Sequence, residues 1–167
     1  MTTTQNLHPL FTSEDSYQDT VDRINHFLAR AERDHLDNLA SFKERLEVDP
    51  ADAIAWNGEG LIQSQYRLVI ANQIRHLVDD HPLIDNVVDA AVLVVYEEQR
   101  SLMSRGSTLA NSTGHGHRMV DMATNAARAK LLDHDIAWRL GLSQRLSQII
   151  AHAEGLMDRI MEDKTQG

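Results

Sequence analysis

Apolar positions recur at helical spacing along almost the whole chain. From Ile24 the series runs through Leu28, Ala31, Leu39, Phe42 and Leu46, with His35 filling its one gap. Ser13 or Ser16 can cap this first helix, and Glu14, Asp15 and Asp19 suit the positive end of its dipole. Residues 1–13, polar and without periodicity, predict a flexible arm. Asp49-Pro50-Ala51-Asp52 starts a second helix, with Asp49 as cap and Pro50 in the first turn. That helix continues through Ile54, Leu61, Ile62, Tyr66, Val69, Ile70, Ile74 and Leu77, and His81-Pro82 ends it.

A third, more apolar segment follows from Leu83 to Leu102. Its β-branched run, Val92 to Val95, is compatible with a buried strand. Asp85 and Asp89, one helical turn apart, and the lack of any partner strand favour a helix, expected to be the most buried of all. Residues 104–117 are rich in Gly, Ser, Thr and Asn and predict a loop. Helical pattern resumes at Arg118 and continues to Lys164. Unbroken it would be roughly 70 Å long, so a break near Gly141 is expected. After it, Leu142, Leu146, Ile149, Ala153, Leu156 and Ile160 form a heptad seam flanked by Ile150, Met157 and Met161. The pattern therefore predicts an all-α fold, an antiparallel bundle of four to five helices over residues 14–164.

Composition narrows the chemistry. There is no cysteine among the 167 residues, which excludes disulfides, zinc ribbons and iron–sulfur clusters. No segment combines the length and apolarity of a membrane span, and residues 1–19 lack the pattern of a signal peptide, so a cytoplasmic location is expected. Net charge is −9, and residues 1–116 hold 18 of the 25 acids but only 9 of the 16 bases. A chain of that balance lacks the basic face of a nucleic-acid binder, and no nucleic-acid partner is expected.

Three constellations could carry chemistry. Glu32-Arg33-Asp34-His35 sets a carboxylate and an imidazole on one helical face, as Glu-x-x-His does in ferritin-like di-iron bundles, and Glu98 and Asp133 lie at mid-length of other helices. Glu32, His35, Glu98 and Asp133 are therefore the candidate metal ligands. The second Glu-x-x-His of ferritin-like proteins is missing, as are the paired histidines of hemerythrin-like ones. His115-Gly116-His117 is a short His-rich tract of low metal-binding power. Arg followed four to six residues later by His resembles the minimal signature of HEPN-like ribonucleases. Arg128 and His134 are the best-placed pair, with His134 as acid–base and Arg128 on phosphate; Ala129 replaces the usual polar residue after the Arg. The string from Val48 to Asn57, with Gly60, resembles the entry of a tetratricopeptide-type helix pair, but no second copy follows, so it marks a shared way to start a helix.

No Gly-x-Ser-x-Gly and no phosphate-cradling loop is present. The sequence thus points to a non-enzymatic interaction protein that needs no cofactor and acts by binding another protein. It is expected to self-associate through Leu142, Leu146, Ile149, Ile150, Leu156, Met157 and Ile160, because the stripe is wider than one neighbouring helix covers. A His/carboxylate metal bundle and a HEPN-like ribonuclease are the alternatives.

Overall fold

A computed structural model of the chain describes residues 8, 10–111, 116–132, 136, 139–142 and 146–166. These form a bundle of five helices without strands: α1 (Glu14–Val48), α2 (Pro50–Asp80), α3 (Val87–Asn111), α4 (Gly116–Leu131) and α5 (Leu146–Gln166).

The helix ends follow local chemistry. The Ser13 hydroxyl accepts from the Ser16 N–H at 3.2 Å, with Glu14 and Asp15 in the first turn. Asp49 alone joins α1 to α2. Its N–H donates to the Arg45 carbonyl at 2.8 Å and its side chain accepts from the Asp52 N–H at 3.1 Å. One residue thus ends one helix and caps the next, with Pro50 in the first turn, where it lacks no needed donor. His81 ends α2, as the His81-Pro82 signal predicts.

Two boundaries differ from expectation. α3 begins at Val87 rather than Leu83, because the Asn86 side chain caps it by accepting from the Asp89 N–H at 3.0 Å. It also runs through Asn111, so most of the predicted loop at 104–117 is helix. Gly, Ser and Thr each disfavour helix by about 1 kcal/mol or less, which packing readily overrides. Packing is visible here: Asn125 of α4 donates to the Leu102 carbonyl at 3.2 Å and rests against Gly106.

Between α4 and α5 the described residues Leu132, Ile136 and Arg139 are helical, and the chain turns at Leu140 and Gly141, where the break is expected. Leu132, Ile136, Leu140 and Leu142 are all buried, and the Leu140 N–H donates to the Ile136 carbonyl at 2.9 Å. Gly141 follows with φ +71°, a left-handed conformation that suits glycine, and a Cβ there would sit 3.1 Å from the Thr20 hydroxyl of α1. The chain therefore turns tightly against α1 before α5 begins.

α3 is the centre of the bundle and touches all four other helices. Residues 88–95 are buried without interruption, the pattern of a helix covered on every side. Ile24, Phe27 and Ala31 of α1, Ile70 and Ile74 of α2, and Ile149, Ala153 and Leu156 of α5 complete the core. Leu142, Ile149, Ala153 and Leu156 of the heptad seam thus face the chain's own interior. The stretch expected to be a flexible arm is also tied down at its end, since His8 and Leu10 are buried.

The α1–α2 hairpin holds the two longest helices among the described residues. At ~1.5 Å per residue its 35-residue first helix is ~52 Å long, against ~38 Å for the 25 residues of α3. Residues 43–51 at its tip are all exposed, as are Ile54 and Trp56.

This division gives a direct test on one helix. Ile74 is fully buried, so Ile74→Ala should lower the unfolding free energy by about 2–5 kcal/mol in urea titration. Ile54, 64 % exposed on the same helix, should cost under about 0.5 kcal/mol when changed to Ala. Equal losses at the two sites would show that the hairpin tip is packed in solution.

Candidate functional site

The first cluster of chemically capable side chains is built on Asp89. This residue lies in the first turn of α3 inside the apolar run, and only 4 % of it is exposed. A carboxylate buried there needs strong partners. Nε2 of His8 and Nε2 of His152 each lie 2.7 Å from the same oxygen, Oδ1 of Asp89. His152 comes from α5 and His8 from the N-terminal segment, 63 and 81 residues away in the chain. The His8 ring is held by aromatic neighbours: it stacks on Tyr17 at 5.9 Å, meets the His152 ring edgewise at 4.6 Å and lies 5.5 Å from Phe11.

Burial alone would push the Asp89 carboxyl up. The hydrogen bonds from His152 and His8 outweigh it and hold the group well below the usual carboxylate range. Burial, and then the Asp89 charge, push the Tyr17 hydroxyl up.

Among the described residues this is a group whose three ligand atoms lie close enough to hold a metal ion. Its geometry suits hydrogen bonding better. Donor atoms of a tetrahedral ion with bonds of about 2.0–2.1 Å stand ~3.3 Å apart, whereas each nitrogen here is 2.7 Å from the oxygen. The Leu10 N–H also donates to Nδ1 of His8 at 3.3 Å, which places the ring proton of a neutral His8 on Nε2, facing Asp89. A metal-bound imidazole has the opposite arrangement, with its free nitrogen donating. The trio is a clasp that ties the N-terminal segment, α3 and α5 together.

The residues singled out from sequence lie elsewhere. His35 is half-buried and its Nδ1 is 3.1 Å from the Ser64 hydroxyl of α2, while Glu32 is exposed. Glu98 accepts from the Tyr66 hydroxyl at 2.7 Å and from Gln73 Nε2 at 3.2 Å. Burial and then the bond to Glu98 push the Tyr66 hydroxyl far up. Arg128 lies over the Tyr66 ring, 5.4 Å from its centre. Asp133 and His134 are outside the described residues. His35 and Glu98 thus hold separate hydrogen-bond partners, and the layer around Glu98 is a Tyr–Glu–Gln arrangement with Arg128 stacked on it.

In the sequence Asp89 signals only a helix. A lone acid inside an apolar run implies buried partners, but nothing local points to residues 8 and 152.

Comparison with family models, with curated proteins and with solved structures gives no match for this chain. The reading of function therefore rests on its own geometry.

The clasp has a stability signature. Asp89→Asn removes the charge that accepts both imidazole bonds and should cost about 1.5–3 kcal/mol at pH 7. The folded-state pKa of Asp89 is depressed, so its contribution is fully present above the ordinary value of about 3.8 and is lost as pH falls below it. The gap in unfolding free energy between wild type and Asp89→Asn should accordingly shrink between pH 5 and pH 3. A gap independent of pH would show that the carboxylate charge is not what the clasp uses.

Proposed function

We propose that this chain is a non-enzymatic binding protein whose docking element is the exposed end of the α1–α2 hairpin. One observation carries the reading: Val48, Ile54 and Trp56 stand at the tip with exposures of 86 %, 64 % and 76 %, beyond the part of the hairpin that the bundle covers. Scattered exposed apolar residues are normal, but Trp56 lies with Val48 along one surface groove, the composition of an interface anchor, while Ile54, two positions away on the helix, faces another side.

The surroundings indicate the partner's chemistry. Trp56 borders a surface groove with Glu44, Arg45, Val48, Asp49 and Asp52, and Glu47 is exposed nearby. Lys43 and Arg45 are the basic residues of that tip. An apolar anchor with an acidic rim suits a protein surface that offers an apolar pocket edged by Lys and Arg. Opposite charge would speed encounter and reject acidic surfaces, and desolvation of Trp56 would supply most of the affinity. The overall charge of −9 fits the same class of partner and disfavours nucleic acid.

The seam first expected to mediate self-association has less to offer. Its central residues lie in the chain's own core, which leaves Ile150, Met157 and Ile160 partly covered and Met161 exposed on α5. The hairpin tip is the larger uncovered apolar group.

Quantitative affinity capture with the intact chain as bait tests the proposal. Proteins retained by wild type should fall at least tenfold with Trp56→Ala and with Val48→Ala, and should remain with Met161→Ala. Retention should weaken as salt rises. Trp56→Ala should change stability by less than about 0.5 kcal/mol, so loss of capture would not reflect unfolding. Capture that is indifferent to Trp56 and Val48 would remove the hairpin from the binding surface.

A further inference from the structure

A second recess lies toward the other end of α2, ~26 Å along that helix from Trp56 if counted to Gln73. It opens between the end of α2, the middle of α3 and the outer face of α5, with a volume of about 350 Å³. Leu77, Leu93, Val94, Met157 and Ile160 form its apolar walls. Size and lining are those of a small-molecule site, a mainly apolar hollow with a few placed polar groups.

Those polar groups share one character. The Glu97 and Glu98 carboxylates border the recess, with Gln73 and His81. Glu98 takes its bonds from the neutral donors Tyr66 and Gln73, with the Arg128 and Arg105 charges acting on the same Tyr66 hydroxyl, and Glu97 pairs with Arg100 at 3.6 Å. Because Gln73 Nε2 must face that carboxylate, its Oε1 points away, and Oε1 is buried without a hydrogen-bond partner. Nδ1 of His81 is also buried without a partner. No lysine or arginine among the described residues lines the recess; His76, the remaining base on its wall, pairs with Asp80 at 2.6 Å.

We propose that this recess binds a small amphiphilic amine, an apolar body carrying one ammonium group. The walls take the apolar body. The ammonium has three donors and no acceptor, which suits the Glu98 carboxylate and a lining whose unpartnered polar atoms, Oε1 of Gln73 and Nδ1 of His81 in its accepting tautomer, offer no donor. A carboxylate or phosphate ligand would meet acceptors and negative charge. The site is independent of the hairpin tip.

Three molecules of one shape separate the contributions: 4-phenylbutylammonium, 4-phenylbutanol and 4-phenylbutyrate. In calorimetric titration of the full chain, the ammonium should bind one per chain, the alcohol at least tenfold more weakly, and the carboxylate without measurable heat. Amide shifts in ¹⁵N-labelled protein should cluster around Gln73, Leu93, Glu98 and Ile160. Glu98→Gln should bring the ammonium down to the affinity of the alcohol, and Ile160→Trp, which fills the hollow, should abolish binding of both. Trp56→Ala should leave binding unchanged, so failure here and failure of the hairpin reading are separate results. Equal affinity for the three compounds would overturn the proposal. So would shifts spread over the acidic surface, which the wild-type spectrum alone reveals even if Ile160→Trp does not fold. Absence of ammonium binding, with a chain mass in light scattering that falls on Ile160→Trp, would assign the recess to a second copy and equally overturn it.

Discussion

The burial of α3 on every side is the constraint on which the rest of the structure depends. An apolar run as continuous as residues 88–95 cannot rest on a surface, because one neighbouring helix covers only one stripe. The other four helices each contact it, and the linking segment with Leu132, Ile136, Leu140 and Leu142 adds further apolar cover to the bundle. Each buried side chain of this kind contributes about 1.5–3 kcal/mol relative to exposure, so the arrangement is driven mainly by removal of this run from water.

Asp89 is the exception inside that run, and it shapes how the bundle closes. A buried carboxylate is tolerated only with strong donors, and the two imidazoles that supply them come from opposite ends of the chain. Hydrophobic burial is non-directional, whereas two hydrogen bonds on a single oxygen specify where the N-terminal segment and α5 must sit. The same argument explains why the trio resembles a metal site in residue type while having the spacing of hydrogen bonds.

The hairpin obeys the opposite rule. Near the Asp49 turn the outer apolar residues of α1 and α2 stay uncovered by the described residues. Ala53 is buried and Phe42 partly so between the two helices, while Val48, Ile54 and Trp56 face solvent. Apolar side chains left in solvent cost solubility and add nothing to the core. The recess near Glu98 arises differently, where α2, α3 and α5 diverge and the side chains between them leave space edged by acceptors.

The order and type of the elements were legible in local sequence. Period-3.6 spacing marked the helices, Asp49-Pro50 and Ser13 marked starts, His81-Pro82 marked an end, and the apolar third segment announced its own burial. These signals act over a few residues and depend on nothing distant. Tertiary packing decided what local rules could not reach. It kept residues 104–111 helical against their propensity, through contacts such as that of Asn125 with Leu102. It turned the α5 seam inward, because hydrophobic periodicity shows that a stripe must be covered but not by which surface. It gave His35 and Glu98 different hydrogen-bond partners, since they share no helix and therefore no fixed spacing. It brought His8 and His152 to Asp89 across 81 and 63 residues, since a buried charge specifies the kind of partner it needs but carries no record of where in the chain that partner lies.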